Sequence, residues 1–164
     1  MVREAVVVAD SGPLIGLARI DQLQLLPALA ARVLLPQAVW NEVTVAKTDA
    51  PGALVISQAT WIEVHQVDPK QVELLTLLLD PGEAEAIALA HTLPDCLVLL
   101  DDSRARRVAE YLGVRRMGTV GLLRRAKQAG LIERLRPQLE ALKANGIHIR
   151  QELVDAVLRE VGEE

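Results

Sequence analysis

Aromatic side chains are nearly absent from this chain of 164 residues, which has no Phe, one Tyr and two Trp. A core must still form, because 51% of the residues are hydrophobic and the length suits one sizeable core better than two. Leu, Val, Ala and Ile have to fill it, which favours aliphatic parallel strands buried between helices. A single domain over residues 1–164 is expected. Cysteine is scarce as well: Cys96 is alone, inside the apolar run 96–100. An intrachain disulfide and a cysteine zinc site are thereby excluded, and a reducing compartment is expected. No apolar run approaches the roughly 20 residues of a membrane span. Residues 1–4 lead into a strand-like segment without a cleavage-site pattern, so we expect a cytoplasmic protein with no membrane contact.

Positive charge is also in deficit, with 18 Lys and Arg against 22 Asp and Glu and a net charge of -4. That balance argues mildly against nucleic-acid binding, which rewards cations that displace counterions from phosphates. Distribution qualifies it. Between Arg104 and Arg136 ten basic residues face only Glu110 and Glu133, which leaves that stretch at +8. An acidic centre beside a basic flank fits a nuclease that binds metal and phosphate backbone separately. Arginines solvated on helix faces would give the same count.

The periodicity alternates strands with helices. Residues 5–9 read as a buried strand that stops at Asp10-Ser11-Gly12-Pro13, where a helix should start. Helices are expected over 14–19 and 23–31, a second strand over 33–35, and a helix over 37–45 that carries Glu42. A loop should cover 49–52, an edge strand 61–64 and a helix 69–79. Asp80-Pro81-Gly82-Glu83 resembles a capping box opening a helix to His91. The strand 97–100 ends at Asp101-Asp102-Ser103, which repeats the geometry at Asp10. Beyond it come a helix to Leu112, a short strand over 114–117, and helices over 120–129, 131–143 and 150–161. This order implies an α/β fold of three layers around a central parallel sheet, with ligands bound at the C-terminal strand ends. Asp10, Asp101 and Asp102 fall on that edge.

Convergent carboxylates raise one another's pKa unless a cation neutralises them, so clustered acids suggest a metal. Oxygen-only ligands with open water positions are what Mg2+ or Mn2+ accepts, and such ions can clamp a phosphodiester. Each acid also has a duller role open to it: Asp10 and Asp102 as helix caps, Glu83 in its capping box, Glu85 against the helix dipole, and Glu42 on a solvated face. His65, His91 and His148 share no ligand spacing, and Trp40 and Trp61 read as packing residues.

The segment Val8-Ala9-Asp10-Ser11-Gly12-Pro13-Leu14-Ile15 resembles the first-strand motif of PIN-domain nucleases. Further matches follow in order: residues 36–42, Glu85-Ala86-Ile87-Ala88, Leu99-Leu100-Asp101-Asp102, Arg104 to Gly113, and Gly118-Thr119-Val120-Gly121. The spacing is most similar to a prokaryotic subgroup close to VapC-like toxins, and the likeness spans nearly the whole chain. It implies a metal-dependent endoribonuclease in which Asp10, Glu42, Glu85 and Asp102 are the catalytic, metal-binding acids, with Asp101 an additional or alternative ligand. Glu83 competes with Glu85, which stands where such toxins commonly have aspartate. Ser11, Thr119, Arg104 and Arg107 are the expected substrate-side residues. The implied partners are RNA and a small antitoxin protein.

Two other readings are open. A PIN-like module could bind RNA or protein without cutting it. A receiver-like or phosphoryl-transfer domain would need an acidic pair on its first strand, where only Asp10 stands, and no glycine-rich phosphate loop is present. Finally, Leu131, Ile132, Leu135, Leu139 and Leu142 form one apolar stripe and Val154, Val157 and Leu158 another. Surplus apolar surface there would be buried against a second copy, so a homodimer is expected.

Overall fold

The computed structural model describes residues 3–46 and 52–164. Its first strand, β1 (Glu4–Ala9), runs straight into α1 (Ser11–Arg19) and α2 (Leu25–Leu29). Strand β2 (Ala30–Pro36) follows, then α3 (Gln37–Asn41), which widens into a π-helical turn over Glu42–Ala46. Next come α4 (Ala53–Ser57), β3 (Ile62–His65), α5 (Pro69–Val72) and a 3-10 turn at Leu75–Leu77. The second half contains α6 (Pro81–Thr92), β4 (Cys96–Leu99), α7 (Ser103–Tyr111), β5 (Arg115–Met117), α8 (Thr119–Gln128), α9 (Arg136–Ala144) and α10 (Gln151–Glu160).

The strands form one five-stranded sheet in the order β3-β2-β1-β4-β5, with all four pairings parallel. Side chains alternate across it, as the two-residue strand period requires. Val7, Ala9, Val33, Leu35, Leu97 and Leu99 point into one core, and Val8, Leu34, Cys96, Val98 and Leu100 into the other. The first core is closed by α1, α2, α8, α9 and α10, and the second by α6 and α7. The three-layer α/β/α architecture read from the sequence is therefore the one observed. Successive strands leave β1 toward β2 on one side and return beside it as β4 on the other. That reversal opens a crevice at the C-terminal ends of β1 and β4, where doubly wound sheets place their ligands. The Asp10 backbone N–H donates to the Leu99 carbonyl at 3.2 Å, which ties the two strand ends together.

Several local expectations change. The helix expected over 23–31 ends at Leu29, because Ala30 already pairs with β1 and residue 31 continues β2. The helix expected over 37–45 keeps α geometry only to Asn41. The expected helix 69–79 is broken into α5 and the 3-10 turn, and the one expected over 131–143 starts only at Arg136. A helix over Ala53–Ser57 was not anticipated. Most of the loop expected over 49–52 lies outside the described residues.

Most of the two C-terminal stripes expected to meet a second copy is buried inside the chain. Leu135, Leu139 and Leu142 are no more than 1% exposed, and Ile132, Val154, Val157 and Leu158 belong to the same core. Leu131 alone of the stripe residues stays exposed, at 38%, and the first face of the sheet takes α8, α9 and α10 together. Among the described residues no helix is long and apolar enough to cross a membrane.

Candidate metal centre

Asp10 lies just past the last residue of β1 and begins α1, and only 6% of its surface is exposed. Its Oδ1 is buried and has no hydrogen-bond partner. A buried carboxylate oxygen in that state costs free energy unless something outside the protein satisfies it. Burial pushes the Asp10 carboxyl from 3.8 up to about 7; a bond from the Ser11 backbone opposes this, and the charges of Glu83, Asp80 and Glu42 add to it. The site thus gathers negative charge around an acid that cannot comfortably hold its own.

Glu42 is brought to Asp10 by the widened turn after α3. Its Oε1 accepts from the Ser11 hydroxyl at 3.1 Å, so the residue following Asp10 orients the second acid. Its Oε2 faces Gly82, the second residue of α6. A Cβ on Gly82 would stand 3.0 Å from Glu42 Oε2, 3.4 Å from Val39 Cγ2 and 3.5 Å from Asp10 Oδ1. Only the missing side chain keeps that space open between the two carboxylates. Neither Gly82 nor Asp80 figured among the expected site residues; the signal available was the glycine inside the capping box itself.

The capping box holds Glu83 at the rim. Asp80 accepts from the Glu83 N–H at 2.8 Å and Glu83 Oε1 accepts from the Asp80 N–H at 3.3 Å. Burial again leads the causes that raise Glu83, followed by the Asp80 charge and, more weakly, that of Asp102. Asp102 itself caps α7, accepting from the Ala105 N–H at 2.9 Å. Glu83 and Asp102 line one cleft of about 370 Å³ together with Asp80, Arg104 and Arg107. Glu42 and Gly82 line another of about 570 Å³, which Asp80 shares.

Two of the expected ligands are engaged elsewhere. Glu85 Oε1 accepts from the Ala38 N–H at 3.1 Å, so this carboxylate caps the start of α3. Asp101 accepts from both the Thr119 N–H at 2.7 Å and the Thr119 hydroxyl at 2.6 Å, which caps α8 from the neighbouring strand end. Thr119 is itself 3% exposed, and its hydroxyl is spent on that bond.

The same census reduces the basic stretch. Arg115 and Arg125 bind Glu4, Arg116 binds Glu110, and Arg124 binds Glu160. Lys127 and Arg134 pair with Glu163, and Arg136 donates to its carbonyl. Among the described residues Arg104, Arg106 and Arg107 make no ion pair, and all three stand on α7.

A family model described as a PIN domain matches residues 6–163. The chain belongs to the PIN-domain family. PIN domains are generally metal-dependent nucleases, and the receiver-like reading falls away. No curated protein matches the chain. Among the described residues no three acids or histidines stand close enough to enclose an ion by themselves. The donor set still fits one kind of ion, because Mg2+ keeps several waters and needs only one or two carboxylates together with substrate oxygens. The unpartnered Asp10 Oδ1 beside Glu42 Oε2 supplies that pair across the space Gly82 leaves.

Proposed function

We propose that this PIN domain is an endoribonuclease that depends on Mg2+ or Mn2+ and hydrolyses RNA phosphodiester bonds at the crevice between β1 and β4. The observation that carries the reading is the orphaned, buried Asp10 oxygen facing Glu42 across Gly82. Asp10 and Glu42 would hold the ion, and Ser11 positions Glu42. A bound divalent ion supplies Lewis-acid polarisation of the phosphodiester and stabilises the charge that develops on it. Glu83, whose charge acts on Asp10 more strongly than that of Glu42, lines with Asp102 the cleft that also contains Arg104 and Arg107. Glu83 therefore takes the third acidic place in this reading, and Glu85 and Asp101 act as caps that fix α3 and α8. The two arginines draw RNA phosphates to the rim, which the acids alone would repel.

The resemblance of the motif order to VapC-like proteins extends the reading to the toxin of a toxin–antitoxin pair. Expression in bacterial cells then arrests growth, and Asp10→Asn relieves the arrest. The direct test of the activity is cleavage of RNA by purified protein. Cleavage with Mg2+ or Mn2+ that stops in excess chelator and in Asp10→Asn is expected. Full cleavage in chelator would overturn the metal role. RNA binding without any cleavage would make the chain a silent binding module.

A further inference from the structure

A wide cleft lies not at the acids but beside them. It measures about 770 Å³, within the range of pockets that bury small organic ligands. Helix α6 packs against α7 and against both α5 and the 3-10 turn. The cleft between these elements presents Leu74, Leu75 and Leu78 together with Arg107 and Tyr111. On α7 the residues Arg104, Arg107, Val108 and Tyr111 recur at helical spacing and all line it.

Three features of this cleft are unusual together. Leu74 is 77% exposed, Leu78 57% and Tyr111, the chain's one tyrosine, 89%. Apolar surface of that extent, grouped in a concavity, marks a binding site more often than ordinary surface. Its lining is also cationic: Arg104 and Arg107, without an ion pair among the described residues, line both this cleft and the smaller one that holds Glu83 and Asp102, and Leu78 is common to both. Groups able to meet the edge of a base, Gln71 and His91, lie on its walls.

We propose that this cleft receives unstacked bases of a single-stranded RNA whose phosphates pass Arg104 and Arg107 on the way to the acids. The inference rests on the nuclease reading and adds the place where the bases of the substrate are held. A phosphate held by Arg107 places its neighbouring base within the same concavity, where the Tyr111 ring and the leucine side chains offer flat apolar contact. Single strands are recognised in this way, with basic groups along the backbone and an aromatic face under a base. A duplex keeps its bases stacked and cannot fill the cleft. Charge complementarity at the mouth and continuity with the acids both favour RNA over a protein helix as the occupant.

The test is fluorescence anisotropy in chelator, where the strand is not cut, with three probes of equal length: a single-stranded RNA, the same backbone without bases, and a duplex. Wild type is expected to prefer the base-bearing single strand. Tyr111→Ala and Leu74→Ser alter exposed side chains, so folding is preserved. Each should weaken binding of that probe, on the order of tenfold for the tyrosine, and leave the abasic strand unchanged. Equal affinity for all three probes, no binding, or a loss that is the same with and without bases would overturn the proposal. So would an unchanged RNA affinity in variants that turn a self-associated chain into a monomer by light scattering, since the cleft would then be a protein interface. The nuclease reading fails separately: a wild type that discriminates bases in chelator yet cuts no RNA with Mg2+ or Mn2+ keeps the cleft and loses the activity.

Discussion

Replacing Asp10 by Asn should stabilise the protein while abolishing its response to metal. The folded chain holds Asp10 at about 7 instead of 3.8, chiefly because the carboxyl is buried. Below the lower value both folded and unfolded chains keep the proton, and Asp10 costs nothing. As pH rises toward 7 the unfolded chain releases its proton first, so stability falls; above 7 the loss levels off. With about 1.4 kcal/mol for each pKa step, the loss at pH 8 reaches up to about 4 kcal/mol. Asparagine keeps the shape and removes the charge, and it also remains a good residue for the cap position before α1. For a domain of this size 1 kcal/mol moves Tm by roughly 2–4 °C, so Asp10→Asn should melt several degrees higher than wild type at pH 8 without metal. It should also lack the fall in Tm expected of the wild type from pH 4 to 7. Added Mg2+ should raise the wild-type Tm at pH 8, because a cation stabilises the ionised carboxylate, and should leave the variant unmoved. Differential scanning fluorimetry across pH, with and without Mg2+, measures all three. A variant that melts lower than wild type at pH 8 and still gains from Mg2+ would refute both the buried charge and its role as a ligand.

Gly82→Ala should lower cleavage and raise the Mg2+ concentration needed for it, while Tm changes little, since Ala favours a helix over Gly by up to about 1 kcal/mol and that gain offsets the close contact of the new methyl with Glu42 and Val39; unchanged metal dependence in a cleavage titration would count against the cradle. Replacing Arg104 and Arg107 together by Gln should weaken RNA binding and flatten its salt dependence by roughly 0.7 per lost phosphate contact on a single strand, which anisotropy at several salt concentrations reads directly. Leu142→Ala should cost about 2–5 kcal/mol in urea unfolding, because this side chain is fully buried in the monomer; a variant that only dissociates a dimer would restore the C-terminal stripe as an interface.

The parallel sheet was legible because its strands are uninterrupted aliphatic runs, each stopped by a polar cluster, and Asp10 was legible because it is the first acid after the first such run. What sequence could not distinguish was Glu83 from Glu85. Both lie in the opening turns of α6, and periodicity assigns them faces without saying what each face meets. Tertiary structure decides it: the start of α3 presents the Ala38 N–H to Glu85, while Asp80 and the rim hold Glu83. The basic stretch misled for a related reason. Most of its arginines meet Glu4, Glu160 or Glu163, whose positions near the two ends of the chain gave no sign of that pairing.

The segment 69–79 joins these lessons. Its leucines have helical spacing, and a continuous amphipathic helix would have laid them against α6 and α7. The chain breaks instead into α5 and a 3-10 turn, leaving Leu74 and Leu78 facing outward across a cleft from Tyr111. Local packing thus forgoes apolar burial that the pattern could have achieved, at the position beside the arginines of α7. A native fold that leaves this much leucine in water next to its acidic crevice gains nothing in stability from doing so. The gain has to lie in what the cleft binds, and the flanking guanidinium groups make a polyanion carrying flat apolar groups the natural occupant.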